Sequence, residues 1–304
     1  MVYNFSNLNF LGSSNMSLKK LLKPVFFSFL NVFIDKNSIL DVRKNTNYLD
    51  HIWYTFRFRM AGVGMILTKN EEKLKNFKDK HKGKRCFIIG NGPSLNKLDL
   101  TLLKNEITFG VNGIYLNKEK MGFLPTYYVI EDYLIAEDRA SEINALRVET
   151  KFVPTYLDYT LNKDANTVNF NAYLNYRDKI FEPNFSNDCL KRIGVGGSVT
   201  FMCLQLAYYM GFEEVYMIGF DHNYDKVEKS GSAIIVTKES DENHFVPNYY
   251  TKGERWHDPN VKRMEKGFSV ANEFFINNGR KVFNATYGGH LEVFERKDFN
   301  KIFK

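Results

Sequence analysis

The chain has 304 residues, 44% of them hydrophobic and 25% charged, which is enough apolar material for a sizeable core and excludes a disordered or fibrous protein. The net charge of +7 suits an anionic partner, but the lysines are scattered and no arginine-rich tract occurs, which argues against nucleic acid. Cys86, Cys189 and Cys203 are far apart and lack CxxC spacing, which argues against a zinc site or a disulfide framework.

The cysteines read instead as small buried hydrophobes in a reducing compartment. No apolar run long enough to span a bilayer is present. The N-terminus has no basic start leading through an apolar stretch to a small-residue cleavage site. The expected location is therefore cytoplasmic.

Residues 1–16 are rich in Asn and Ser and read as a loose tail. Leu18, Leu21, Leu22, Val25, Phe26, Phe29, Leu30 and Phe33 then recur at spacings of three and four, one face of a helix over 18–34. Lys19, Lys20 and Lys23 lie off that stripe, and Pro24 disturbs its first turns. Two readings stay open. The helix rests peripherally on the inner face of the cytoplasmic membrane, or it packs on the main domain or on a second subunit of a homo-oligomer. Residues 48–80 read as helical again, from Leu49 through Met65, and the charged stretch Lys69–Lys84 reads as an exposed helix. Residues 1–80 thus form an N-terminal helical extension and 81–304 the main domain.

From Arg85 the pattern alternates. Short apolar runs at Arg85–Ile89, Ile107–Val111, Tyr127–Ile130, Lys151–Pro154, Glu214–Ile218 and Lys281–Phe283 read as six strands. Helical stretches lie between them, most clearly Ser198–Met210 and Val261–Asn277. This alternation predicts an α/β fold with a mostly parallel sheet flanked by helices.

The first strand runs into Gly90-Asn91-Gly92-Pro93-Ser94. Glycines permit a sharp turn and close approach to a ligand. Pro93 suits a first helical position, and Ser94 suits a helix cap or a phosphate contact. The loop lacks the third glycine of a dinucleotide fingerprint and the Lys-Ser or Lys-Thr of a P-loop. Gly196-Gly197-Ser198 sits in the same way before the helix at Val199. Each loop reads as a phosphate or sugar cradle or as a structural turn.

GNGPSL after the first strand, Val111-Asn112-Gly113 after the second, and GGSVTFMCLQLAYYMGFEEVYMIGFDHNY together resemble the family-42 bacterial sialyltransferases. They also resemble the related 6-hydroxymethylpterin diphosphokinase-like domain of motility accessory factors. The similarity covers roughly residues 84–300. It implies a Rossmann-like, inverting glycosyltransferase. Such an enzyme moves a sialic-acid-like or other 2-keto sugar, such as Kdo, from a CMP-activated donor to a bacterial surface glycan or glycolipid. It further implies nucleotide contacts from Gly90, Asn91, Gly92, Pro93, Ser94 and Asn112, and from Gly196, Gly197, Ser198 and Asp221. Asp132 follows the third strand where the sialyltransferases tend to have Asn, which affects the sugar or ribose contact. Tyr224 is the nearest tyrosine for the leaving phosphate.

Transfer to a hydroxyl requires a base, and histidine suits that task near neutral pH. His222, His244, His257 and His290 are the candidates, with His244 preferred over His257. No DxD pair is present, and a CMP leaving group carries one phosphate that helix N-termini, hydroxyls and cations can meet. The expected site is metal-independent and uses no cofactor beyond the CMP-sugar donor. Thr286, after the last strand, reads as a nucleotide contact or as part of a structural turn. The alternative reading is an ATP-dependent diphosphokinase with Mg²⁺ on Asp132, Asp221 and Asp225. A non-catalytic nucleotide-binding module is the third.

Overall fold

The computed structural model describes residues 47–173, 183–223, 234–237, 244–246, 249–257 and 259–304. The expected helix over 18–34 lies outside the described residues, as does Tyr224.

Helix α1 (Tyr48–Gly62) opens the described chain, with the Asn47 side chain accepting from the Asp50 N–H at its start. Helix α2 (Lys69–Glu72) follows and continues as a 3₁₀ turn, Lys73–Phe77. The central sheet then begins with β1 (Arg85–Ile89), β2 (Thr108–Val111), α3 (Lys118–Met121) and β3 (Tyr127–Val129). Next come α4 (Tyr133–Asp138), α5 (Ala140–Ala145), β4 (Thr150–Pro154) and β5 (Thr167–Phe170). A small pair, β6 (Ala172–Tyr173) and β7 (Ile193–Gly194), precedes α6 (Val199–Tyr209) and β8 (Glu214–Ile218). The antiparallel pair β9 (Ile234–Val236) and β10 (Arg255–His257) leads to α7 (Val261–Asn277), β11 (Lys281–Asn284) and β12 (Glu295–Arg296).

Eight strands form one sheet in the order β12-β11-β8-β1-β2-β3-β4-β5, and every pairing in it is parallel. The α/β reading holds, and the six expected strands all occur within a residue of their expected ends. Two strands of this sheet were not expected. β5 reads Thr-Val-Asn-Phe, with a buried asparagine that breaks its apolar run. β12 is two residues long, too short to carry a pattern.

The chain builds outward from β1 through β2 to β5, then returns to β1's other side with β8 and continues to β11 and β12. The strand order therefore reverses between β1 and β8. A crevice forms there at the carboxyl ends of the strands, the usual ligand position of an open parallel sheet.

Strand alternation sorts the core into two faces. Phe87 of β1 stacks with Tyr216 of β8 and with Phe303 of the C-terminal turn. Its neighbour Cys86 is fully buried on the opposite face of the strand. All three cysteines are buried and free. Helix α6 is buried nearly all round, as expected of a helix between sheet and neighbouring elements. Helix α7 buries Gly267, Phe268, Ala271 and Phe275, spacings that form a single face.

The stretch Lys69–Lys84 departs from the expected exposed helix. It holds less than two turns of α-helix, and Glu71, Leu74, Phe77 and His81 are buried. Its lysines conceal this, because long ammonium side chains keep their charge in water while neighbouring residues pack inward. Arg57 of α1 is almost fully buried, hydrogen-bonded to Asp158 and 3.4 Å from Glu71. Breaking such a buried ion pair by removing one partner costs about 3–5 kcal/mol.

His81 is stacked on Phe212 with ring centroids 4.8 Å apart, and its Nε2 lies 2.6 Å from the Tyr127 hydroxyl. Burial, with Lys80 and Lys84 adding to it, pushes its pKa down from 6.5 to about 4. The neutral ring is thus the form the fold accepts. Stability from this site is complete above pH 6.5 and is lost as pH falls toward 4, where the unfolded chain binds the proton and the folded chain does not. Urea unfolding at pH 7 and pH 5 should show lower stability at pH 5, and His81→Phe should flatten that part of the difference.

Candidate functional site

The crevice at the strand reversal contains a cavity of about 430 Å³, within the size range of small-molecule sites. Three loops and one helix end shape it. They are the β1 loop at Gly90–Pro93, Val111-Asn112 after β2, Gly219–Asn223 after β8, and Ser198–Thr200 at the start of α6.

The β1 loop is held by β8. The Gly90 N–H donates to the Ile218 carbonyl at 2.8 Å, and the Gly92 N–H donates to the Gly219 carbonyl at 2.9 Å. Asp221 then accepts twice from Ser94, from the backbone N–H at 3.0 Å and from the hydroxyl at 2.6 Å. The two glycines are a packing requirement. A Cβ on Gly90 would sit 2.5 Å from the Gly219 carbonyl oxygen, and one on Gly92 would overlap the Asp221 carboxylate.

After Gly92 the chain forms a single 3₁₀ turn, Pro93–Lys97, with no side-chain cap. The sequence had suggested a helix capped by Ser94. Ser94 is instead committed to Asp221 and lies buried beneath the loop, off the cavity wall. Gly90, Asn91, Gly92, Pro93, Asn112 and Asp221 do line the cavity.

Asn91 donates to the Val111 carbonyl at 3.2 Å, and its own carbonyl accepts from the Phe245 N–H at 3.0 Å. Asn112 occupies the left-handed region, with φ of 49°, a conformation that Asn tolerates better than most residues. The side-chain oxygens of Asn91 and Asn112 are both buried without a hydrogen-bond partner. Leaving a buried acceptor unsatisfied costs about 1–3 kcal/mol. Both oxygens are closed off from solvent and so lie behind the open cavity wall.

On the opposite side, Ser198 caps α6 by accepting from the Thr200 N–H at 3.2 Å. Its hydroxyl proton remains able to donate toward the cavity, where the helix N-terminus favours an anion. Gly196 and Gly197, at φ of 57° and 84°, turn the chain into this helix. They do not line the cavity. A Cβ on Gly196 would strike the Phe201 ring of α6, one on Gly197 would lie 2.7 Å from Arg263 of α7, and Gly267 of α7 in turn packs on the Gly196 backbone.

His244 also lines the cavity, and its ring lies flat on Tyr249, with centroids 3.9 Å apart and planes 5° from parallel. The Tyr249 hydroxyl oxygen accepts from the Gly113 N–H at 2.8 Å, and Arg139 donates to the Tyr249 carbonyl. The Asn96 side-chain amide donates to the Phe245 carbonyl at 2.6 Å. These contacts join Phe245 and Tyr249 to the loops after β1 and β2.

Trp256 of β10 also lines the cavity and stacks on Tyr250. Neighbours along a strand point to opposite faces, so His257 turns away from that wall. Its Nδ1 lies 3.0 Å from the Asp132 carboxylate, whose other oxygen caps α4 through the Leu134 N–H. Neither Asp132 nor His257 lines the cavity.

His222 lines it, with φ of 52°, and pairs with Glu265 of α7 at 3.1 Å. His290 is exposed, and its backbone N–H donates to the Asp221 carbonyl at 2.8 Å. Thr286 is buried, with its hydroxyl accepting from the Phe220 N–H at 3.1 Å. It is a brace for the β8 loop and does not line the cavity.

The sequence reading missed Trp256, Phe220 and Thr200 on the wall and Tyr249 behind it. Aromatic residues in a loop carry no local signal that separates core from cavity. Among the described residues, no three His, Cys, Asp or Glu side chains converge as a cation site would require.

The Gly92 contact yields a direct test. Its φ of −72° is open to alanine, so any cost of Gly92→Ala is steric. We expect a loss of about 1–3 kcal/mol in urea unfolding, because the Asp221 carboxylate must leave Ser94.

No curated protein sequence matches the chain. The fold is similar to the solved structure of the MAf glycosyltransferase from Magnetospirillum magneticum AMB-1, with a TM-score of 0.44 and 15% identity. That similarity covers 83% of this chain and 42% of the other, so the chain spans less than half of that protein's length. The family model described as 6-hydroxymethylpterin diphosphokinase MptE-like matches residues 65–227, a span that holds the strand reversal, both glycine loops and Asp221. By this match the chain belongs to the MptE-like family.

Proposed function

We propose that the chain is an inverting glycosyltransferase that takes a sialic-acid-like or other 2-keto sugar, such as Kdo, from a CMP donor. The acceptor is a hydroxyl of a bacterial surface glycan or glycolipid. The observation that carries a nucleotide ligand is the cavity at the strand reversal, lined by the β1 loop on one side and by the N-terminus of α6 on the other. The choice of CMP rests on the likeness of the Gly90–Ser94, Val111–Gly113 and Gly196–Tyr224 motifs to the family-42 sialyltransferases.

In this reading the β1 loop and Asn112 contact the nucleoside, and Ser198 with the α6 N-terminus meets the phosphate. His244 takes the proton of the acceptor hydroxyl as its oxygen attacks the anomeric carbon. The bond from that carbon to the phosphate oxygen breaks, and CMP leaves. His244 is preferred because its ring is on the cavity wall. His257 has the better-oriented ring, held by Asp132, but stands on the other face of β10.

A specific observation favours a second reading, the family's own description as diphosphokinase-like. That chemistry needs carboxylates for Mg²⁺. Asp221 is engaged by Ser94, and Asp132 by His257 and the start of α4. Both would have to exchange their partners for the cation.

Thermal unfolding with CMP, CDP, UDP, GDP and ATP, each with and without Mg²⁺, separates the two. A ligand that binds only the folded state raises the Tm by mass action, by roughly 5 °C or more at a hundredfold excess over Kd. We expect the rise with CMP alone, and a rise only with ATP and Mg²⁺ would replace the transferase by the kinase. With CMP-sialic acid or CMP-Kdo as donor, His244→Ala should lower kcat by about 10²–10⁴-fold. If His257→Ala shows that loss and His244→Ala does not, the base is His257.

A further inference from the structure

Trp256 is half-buried on the cavity wall, and its neighbours fix the plane of its ring. It lies 13° from parallel to the buried Tyr250 ring, with centroids 5.8 Å apart. Tyr250 is braced in turn by the Arg139 guanidinium, 6.0 Å from its ring centroid. Arg139 is ion-paired at 2.7 Å with Glu254, two residues before Trp256. The His244 ring meets the same Tyr250 edge-on, with centroids 5.3 Å apart and planes at 89°. One buried tyrosine thus sets both the tilt of the tryptophan and the place of the histidine. A tryptophan held in this way offers a wide contact surface at small entropic cost, because its two torsions are already settled.

We propose that Trp256 is the platform for the acceptor, a neutral pyranoside whose C–H face stacks on the indole and whose rim presents a hydroxyl to His244. The inference rests on the glycosyltransferase reading and narrows its acceptor to a sugar ring. A pyranoside carries hydroxyls around its rim, and one face of a galactoside presents C–H groups. Such a ligand needs a flat apolar surface bordered by polar side chains. His222, Asn223 and His244 supply that border, since they line the same cavity as Trp256. A serine hydroxyl on a peptide, or a bare lipid chain, brings no flat face to the indole.

The charges beside the platform are balanced. Arg139 is paired with Glu254, and Arg255, next to Trp256 in β10, is paired with Glu137 and Asp138. This environment suits an uncharged ring. The nucleobase has a different aromatic neighbour. Phe220 also lines the cavity and lies against the β1 loop, 3.0 Å from where a Cβ on Gly90 would sit.

Tryptophan emission provides the test. The chain has two tryptophans, and Trp53 is 46% exposed on α1 and does not line the cavity. The full-length variant Trp53→Phe therefore leaves Trp256 as the sole reporter, with the platform intact. Methyl β-galactoside, methyl β-glucoside and methyl N-acetyl-β-glucosaminide are the probes. We expect at least one of them to shift the emission saturably, with CMP present or absent. In transfer from a CMP-sugar donor, Trp256→Leu should raise the acceptor KM by about tenfold and leave kcat and the donor KM within about twofold. Trp256→Phe should recover part of that loss, because it keeps a ring.

Emission unmoved by all three sugars overturns the proposal. Sugar binding that CMP abolishes also overturns it, because the ring then serves the nucleotide. A shift with 6-hydroxymethylpterin and with none of the sugars overturns it in favour of the diphosphokinase reading. An unchanged acceptor KM in Trp256→Leu overturns it while the transferase reading stands. Sugar binding at Trp256 in a protein that transfers nothing from CMP donors supports the platform and refutes the donor, so the two failures are told apart.

Discussion

Asp221 takes both the backbone N–H and the hydroxyl of Ser94, and this carboxylate ties the loop after β1 to the loop after β8. The two strands are adjacent in the sheet but far apart in the chain. Parallel strands leave their carboxyl-end loops free to splay apart, and a crevice of defined width requires something to hold them together. Hydrogen bonds to a charged acceptor are the stronger kind, contributing about 1.5–3 kcal/mol. Gly90 and Gly92 allow the approach, because a Cβ at either would strike the β8 loop. The His290 N–H and the Thr286 hydroxyl brace the same β8 loop from the C-terminal side.

The other walls depend on that fixed edge. Helix α6 enters from the Gly196-Gly197 turn, which is bare enough for α7 to pack against it at Gly267. The segment carrying His244 docks on the Asn91 carbonyl and, through Tyr249, on the Gly113 N–H. Its position is therefore set by the loops after β1 and β2. The polar residues lining the cavity come from five separate stretches of chain, at Asn91, Asn112, Ser198, His222 and His244.

Much of the fold was legible in the chain. The six long strands announce themselves as short apolar runs between helical stretches, because a strand buried on both faces has no polar side to show. Ser198 was readable as a cap because a serine after two glycines and before an apolar run suits only a helix start. β5 was hidden by its buried Asn169, whose amide donates to the Val153 carbonyl and to Asp158. No local pattern reveals those partners. The charged stretch after Lys69 misled for a related reason, since its lysines outnumber the few side chains that hold it down.

The sequence by itself determined the class of fold, the edge of the sheet where the cavity opens, and the loops that approach it, because these follow from local periodicity and from the backbone freedom of glycine. Only the tertiary structure decided which side chains face the cavity. Ser94, the expected phosphate contact, is spent on Asp221. Asp132 serves His257 and α4. Strand alternation turns Trp256 toward the cavity and His257 away from it. Each outcome is a competition among distant groups for the same hydrogen bond or the same volume, and such a competition is settled only when the chain has folded and brought the partners within 3 Å of one another.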